Sequence, residues 1–238
     1  METLIIKDQT IPYEERRSVR YRRITLSILE DRVRISAPKN VSVKKLRDLL
    51  RVKQEWILKH WLAKLEKKKP SVRYIDGEQF LYLGKAVELK IIRYRLKRIQ
   101  VFLEGQVLVV NLPQDLPDQD HELNVKTALK TWYKVQARRV LLEKLDKQAK
   151  KMQVIYHAFR LKEQKTSWGS CSSKGNLNLN WRIIMAPDLA IDYIIIHELA
   201  HLTFLNHSKQ FWQRVAEFMP DYAEWKKWFK DYGHELII

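Results

Sequence analysis

The sequence HELAHLTFLNH, His197–His207, contains three of the chain's seven histidines and one glutamate. Its apolar surroundings predict a buried helix over residues 191–205. His197 and His201 are four residues apart, so they lie on one face of a helix, where two neutral imidazoles can share a divalent ion. Glu198 lies about 100° further round the helix, from where it can take a proton from water at the metal. The pattern predicts a hydrolytic metal site rather than three ordinary buried histidines.

His207 is the predicted third ligand, and it can reach the ion only if the helix ends early. In a straight helix, His207 would lie about 15 Å beyond His197. Asn206 tolerates the left-handed backbone that often ends a helix, so we expect the break there. Ser208 then has the position and the side chain of an N-cap for the next helix. Zinc is the expected ion because three imidazoles leave a fourth tetrahedral position open, although iron and manganese also accept such ligands.

The composition is that of a globular protein, with 45% hydrophobic and 31% charged residues. Cys171 is the only cysteine, which excludes an intrachain disulfide and suits a reducing compartment. The first residues show no secretory signal, and no apolar run approaches the roughly 18 residues of a spanning helix. We therefore expect a cytoplasmic protein without a membrane partner.

Two stretches of the chain resemble each other, since Tyr21–Pro38 aligns with Arg95–Pro113. Each alternates apolar and polar residues, turns and alternates again, which predicts a β-hairpin, and a helical pattern follows each hairpin. A third, looser copy begins near Phe159 and precedes the histidine-rich helix. These patterns predict an α+β fold.

The net charge of +17 is uneven along the chain. Residues 1–117 have 26 Lys and Arg against 14 Asp and Glu, and residues 118–238 have 19 against 14. A proline- and acid-rich segment, Leu112–Glu122, is the predicted boundary between a basic N-terminal region of hairpins and helix (1–117) and a domain that contains the histidine motif (118–238). The basic half is interpreted either as a surface for nucleic acid or as a solvated face without a specific partner.

Three stretches together resemble the YgjP-like family of predicted zinc metallopeptidases, which are relatives of SprT-like and zincin proteases. They are HELAHLTFLNHSKQFW (residues 197–212), SWGSCSSKGNLNLNWRIIMAP (residues 167–187) and the Tyr-Leu-Gly of FLYLGK (residues 80–85). The resemblance extends from about residue 16 to the C-terminus. It implies a zincin-like core that consists of a backing helix (Asp120–Met152), a small sheet and the HExxH helix.

The resemblance also implies roles for individual residues. His197, His201 and His207 would bind zinc, and Glu198 would be the general base. In zincins the strand before the active-site helix often binds extended substrate at the edge of its sheet, which would make Trp168, Gly169 and Ser170 substrate-binding residues. Gly169 would let a second backbone approach closely, and a buried sheet with a glycine bulge is the alternative.

The leading functional hypothesis is a zinc-dependent peptidase that acts on a peptide or protein. Some members of the family are labelled UTP pyrophosphatases, so a nucleoside triphosphate is the alternative substrate, although the chain has no glycine-rich phosphate loop. Cys171 is either a fourth metal ligand or a small buried hydrophobic residue. Tyr222, Tyr232 and His234 are candidates for stabilising an oxyanion, and the sequence does not choose among them.

Overall fold

The computed structural model describes residues 2–29, 31–66, 72–95, 97–164 and 166–238. The chain divides into two compact units, Met1–Lys69 and Pro70–Ile238, and each has its own hydrophobic core. The division lies well before the boundary predicted at residue 117. The physical reason is that the strands between residues 79 and 113 share one buried core with the helices that follow them. The α+β class is confirmed.

The first unit is a four-stranded sheet followed by two helices. Its sheet has the strand order β1-β2-β4-β3. Val33, Ile35 and Ala37 alternate with more exposed residues along the inner strand and are fully buried. The predicted helix is interrupted at Lys53, so it consists of two helices. The elements are β1 (Glu2–Ile6), β2 (Gln9–Ser18), β3 (Thr25–Ile28), β4 (Val33–Pro38), α1 (Val43–Val52) and α2 (Gln54–Glu66).

The second unit contains two sheets, one long helix and three shorter ones. The sheets have the strand orders β5-β6-β8-β7 and β10-β11-β9. A short 3-10 helix, Trp181–Met185, leads into α4. The elements are β5 (Gln79–Tyr82), β6 (Lys85–Tyr94), β7 (Gln100–Glu104), β8 (Val107–Pro113), α3 (His121–Met152), β9 (Ala158–Lys162), β10 (Gly169–Cys171), β11 (Asn176–Asn180), α4 (Asp188–Ala200), α5 (Lys209–Phe218) and α6 (Tyr222–Tyr232).

All three sheets repeat one arrangement of strands. In each, a first strand pairs in parallel with the second strand of a following antiparallel hairpin: β2 with β3–β4, β6 with β7–β8, and β9 with β10–β11. The three predicted hairpins are therefore present, and each pairs with an additional strand that precedes it in the chain. A helical segment follows each arrangement.

Helix α3 is the central element of the second unit. Every fourth residue from Val125 to Ala149 is buried. Because a helical turn takes only 3.6 residues, this buried stripe winds slowly round the helix. The winding lets a single helix contact β7, β8, β9, the 3-10 helix and α4. Its bounds agree with the predicted backing helix to within one residue.

The Tyr-Leu-Gly segment joins the first sheet of this unit to the start of α4. Leu83 and Gly84 form the turn between β5 and β6, and both have positive φ, 49° and 75°. Their N–H groups donate to the carbonyl oxygens of Ile184 (2.8 Å) and Met185 (3.1 Å). A Cβ at position 84 would lie 2.7 Å from Cα of Pro187, so only glycine fits against the residue that caps α4.

Among the described residues, no helix has both the length and the apolar character needed to cross a bilayer.

Replacing Gly84 by alanine should destabilise the protein more than the same change at Gly77. Both glycines have positive φ, which costs an alanine about 1 kcal/mol, but a Cβ at Gly77 meets nothing within 4 Å. The collision with Pro187 should add ~1–3 kcal/mol to the loss at Gly84. Denaturant unfolding of both variants measures the difference. Equal losses would show that the contact with Pro187 does not constrain the turn.

Candidate metal centre

Helix α4 carries the histidine motif through the interior of the second unit. It begins after Pro187, and its middle is buried on almost every side, including Ile191, Ile195 and Leu199. Lys144 of α3 pairs with Asp188 (2.8 Å) and Asp192 (3.1 Å) in its first two turns. These contacts attach the first two turns of α4 to α3.

Helix α4 ends at Ala200, earlier than the sequence predicts. The next N–H groups form shorter turns, from Leu202 to the Leu199 carbonyl (3.0 Å) and from Thr203 to the Ala200 carbonyl (3.1 Å). Asn206 does not have a positive φ, so the expected left-handed break at this residue is wrong. The chain leaves the helix through this tightened turn and continues into α5, which packs against α4.

Helix α5 begins where the sequence predicts. The Ser208 hydroxyl accepts from the N–H of Phe211 at 3.3 Å, as an N-cap does. Phe211 is fully buried, and its ring packs on all three histidine rings, with centroid distances of 5.0 Å to His197, 4.5 Å to His201 and 4.8 Å to His207. One aromatic side chain therefore holds α5 against the three predicted ligands.

The three predicted ligands converge. One ring nitrogen from each of His197, His201 and His207 lies within 4.8 Å of the others. The Nε2 atoms of His197 and His207 are 3.1 Å apart. The Nδ1 of His201 bonds to the Phe204 carbonyl at 2.9 Å. Because a carbonyl only accepts, this bond fixes the Nδ1–H tautomer and leaves the Nε2 lone pair of His201 free.

The surroundings of His197 and His207 favour the neutral form of these two side chains. Burial, and then the nearby His201, His207 and Lys226, lower the pKa of His197 to about 3. Burial, His201 and Lys226 also lower the pKa of His207. A neutral imidazole is the form that binds a metal.

Glu198 lies beside the cluster and is only 5% exposed. Its Oε2 has no hydrogen-bond partner among the described residues, and burial raises its pKa to about 8. A Cβ at Gly169 would lie 2.5 Å from Oε1 of Glu198 and 2.7 Å from its Cγ. Gly169 is therefore required in this structure to make room for Glu198, a role that the sequence did not suggest.

The histidines and Glu198 line an open cleft of about 610 Å³. Trp168, Gly169 and Ser170 also line it, so the structure brings all the predicted site residues together. Strand β10, which contains Gly169 and Ser170, lies at the edge of its sheet. The ring of Trp168 packs against Phe229 of α6 at 5.2 Å and covers Gly233, where a Cβ would lie 2.8 Å from the ring.

Cys171 lines the cleft but does not belong to the ligand cluster. It is half-buried, and burial together with the charge of Glu198 raises the pKa of its thiol to about 11. Its Sγ is 3.4 Å from the Ser172 carbonyl. These observations agree with the interpretation of Cys171 as a small packing residue.

Three further residues in the cleft were missed by sequence analysis. Tyr193 lies one turn before His197 on α4, and its ring is 5.9 Å from that imidazole. Lys226 and Lys230 lie on one face of α6. The sequence shows that the two lysines are four residues apart and share a helix face, but nothing in it indicated that α6 faces α4. Tyr222, Tyr232 and His234 do not line the cleft.

The class of protein that carries this histidine cluster is given by a family model, which is that of a metallopeptidase domain. The model for "YgjP-like, metallopeptidase domain" matches residues 22–232. The chain belongs to the YgjP-like family.

Two solved structures are also similar to part of the chain. The metallopeptidase zymogen abylysin of Pyrococcus abyssi is 23% identical, covers 41% of this chain and 99% of its own, and has a TM-score of 0.36. The metallopeptidase zymogen jannalysin of Methanocaldococcus jannaschii is 18% identical, covers 38% of this chain and 94% of its own, and has a TM-score of 0.35. No curated protein matches the chain.

The contact between Gly169 and Glu198 can be tested without an activity assay. Gly169→Ala should destabilise the otherwise unchanged protein by ~1–3 kcal/mol, because the new methyl group collides with a buried side chain. In a Glu198→Ala background the same change should be nearly neutral, because the space is then free. Denaturant unfolding of the wild type, the two single variants and the double variant gives the coupling free energy between positions 169 and 198. The same loss in both backgrounds would contradict the assigned role of Gly169.

The ligand assignment predicts one zinc ion per chain. His201→Ala should weaken zinc binding by about a hundredfold or more, since it removes one of three protein ligands. Competition with a chromogenic chelator measures the affinity. His60→Ala is the control, because His60 lies in the first unit, outside the histidine cluster, with its Nδ1 2.8 Å from the Trp56 carbonyl oxygen. Equal zinc affinities in the two variants would exclude His201 as a ligand.

Proposed function

We propose that this protein is a zinc-dependent metallopeptidase with a zincin-like core, in which α3 is the backing helix and α4 the active-site helix. One observation carries the proposal. Three imidazoles converge at the floor of an open cleft, beside a buried carboxyl group that has an unpartnered oxygen. Membership of the YgjP-like metallopeptidase family supports it.

The residues fit a zinc ion. Nitrogens that bind one tetrahedral zinc at about 2.0–2.1 Å lie about 3.3 Å apart, close to the 3.1 Å between the Nε2 atoms of His197 and His207. His201 presents its Nε2 lone pair because its Nδ1 is engaged by Phe204. When bound, zinc supplies a Lewis acid for the scissile carbonyl and lowers the pKa of water.

Glu198 is the proposed general base. It receives the proton that water loses on attacking the carbonyl carbon, and gives this proton to the nitrogen of the departing amine. Its position agrees with this role, since it adjoins the histidines, lines the cleft and makes no ion pair with the described residues. Gly169 permits this position of the carboxyl group, because a side chain at residue 169 would collide with it.

Strand β10 is the proposed binding edge for the substrate backbone. It pairs with β11 on one side and lines the cleft with Gly169 and Ser170. An extended peptide can join such an edge through main-chain hydrogen bonds, which hold the scissile bond in a fixed register. Trp168 would then form one wall of the binding site.

The other partners considered from the sequence receive no support. The family model that matches the chain describes a metallopeptidase domain, and its description mentions neither a nucleotide nor a nucleic acid. In the first unit, part of the positive charge is already neutralised, since Glu14 pairs with Arg16 (2.8 Å), Arg32 (3.0 Å) and Arg34.

The central test is Glu198→Gln, which keeps the shape of the side chain and removes its basicity. We expect zinc binding to be retained and kcat to fall by about 10²–10⁴. Zinc-loaded protein is incubated with a mixture of peptides of varied sequence, and the products are identified by mass spectrometry. The control Glu224→Gln changes an exposed residue in the first turn of α6 and should leave cleavage unaltered.

Two results would contradict this function. The first is peptide cleavage that proceeds equally well in the Glu198→Gln variant. The second is zinc-loaded wild-type protein that cleaves no peptide but releases diphosphate from UTP, which would identify a nucleotide hydrolase.

A further inference from the structure

Two lysines face the cleft from α6 without a partner. Lys226 and Lys230 are exposed, and both line the cleft together with the three histidines. Among the described residues, no carboxylate lies within 4.0 Å of either ammonium group. The two positive charges are therefore available to a ligand.

The helix itself provides no acidic partner for these two lysines. Side chains three and four residues apart are neighbours on a helix. Lys226 has Tyr222, Ala223, Phe229 and Lys230 at these positions, and Lys230 has Lys226, Lys227, Gly233 and His234.

Lys227 differs from its two neighbours. It is also exposed, but Glu224 and Asp231 lie three residues before it and four after it, and it does not line the cleft. Lys226 and Lys230 thus face the candidate site, whereas Lys227 lies outside the cleft and has two acidic residues at neighbouring helix positions.

Lys226 is positioned close to the ligand cluster. Its Nζ lies 4.1 Å from the centre of the Trp212 ring, within the range of a cation–π contact. Trp212 in turn stacks on His207, with ring centroids 5.6 Å apart and an angle of 22°. The ammonium group is therefore held at the mouth of the site by a side chain that also contacts a predicted metal ligand.

The charge of the lining is uneven. Glu198 is the only acidic side chain among the described residues that line the cleft, and it is buried. Lys226 and Lys230 are exposed beside a site that would gain two further positive charges with zinc. The cleft therefore favours an anionic group at the side formed by α6.

We propose that Lys226 and Lys230 form a carboxylate-binding subsite, which directs the enzyme to peptides with an anionic group near the scissile bond. This inference rests on the proposed peptidase function. Two sources supply the carboxylate, the side chain of Asp or Glu at one substrate position and the free C-terminus of a short peptide. Lysine can bind a carboxylate from either source, because its ammonium group is a compact positive charge that requires no fixed geometry.

The test compares matched peptides. One series has Glu or Gln at each position around the cleaved bond, and a second series ends in a free carboxylate or an amide. The measured quantity is the ratio of kcat/KM within each pair. For the preferred source, the wild-type ratio should be about fivefold at low salt, and it should decline as ionic strength rises from about 0.01 M to about 1 M.

Substitutions assign this preference to individual lysines. Lys226→Ala and Lys230→Ala should each bring the ratio closer to one, and Lys226→Glu should favour peptides with Lys in place of Glu. Lys227→Ala should leave the ratio at its wild-type value. A wild-type ratio of one in both series would overturn the proposal. So would a loss of kcat/KM in Lys226→Ala that is equal for both members of each pair.

A binding experiment separates this proposal from the proposed function. Zinc-loaded Glu198→Gln protein is titrated with the same peptide pairs, and affinities are measured by calorimetry. Tighter binding of the anionic member that is lost in the Glu198→Gln/Lys226→Ala double variant supports the subsite, even if the wild-type protein cleaves none of the peptides. Equal affinity within all pairs excludes the subsite, whatever the wild-type protein cleaves. Tight binding of UTP without any preference among the peptides would also exclude it.

Discussion

The candidate metal centre depends on the point at which α4 ends. In a continued helix His207 would be carried about 15 Å from His197, and the third imidazole could not reach the other two. The helix instead ends at Ala200, and the packing of Phe211 against all three imidazoles holds the returning chain in place. The buried Phe211 ring therefore helps to hold the three imidazoles together, so that their convergence does not depend on a bound ion alone.

The local parts of this site could be predicted from the sequence. The spacing of His197 and His201 fixes their common face, because helix geometry is independent of the rest of the fold. Ser208 was recognisable as an N-cap for a similar reason, since the cap bond spans only three residues. Long periodic patterns gave the bounds of α3, and alternation gave the hairpins.

The parts that depend on tertiary packing could not be predicted. Local propensity placed the end of α4 at Asn206, but the turn that ends the helix is decided by what packs on it. The boundary at residue 117 followed from composition, which does not reveal that β5–β8 and α3 share a core. The need for Gly169 and the orientation of Lys226 both arise between segments that are distant in sequence, so no pattern within either segment contains them.

The turn at Leu83–Gly84 limits how this protein can be divided. A gene fragment that begins at residue 118 would encode every histidine of the cluster, together with Glu198. It would nevertheless leave the Ile184 and Met185 carbonyls without their donors and expose the core face that β5–β8 cover. Recombination or protein engineering that aims to move the metal site to another protein must therefore carry the preceding sheet with it, because the smallest transferable module is set by shared burial rather than by the motif.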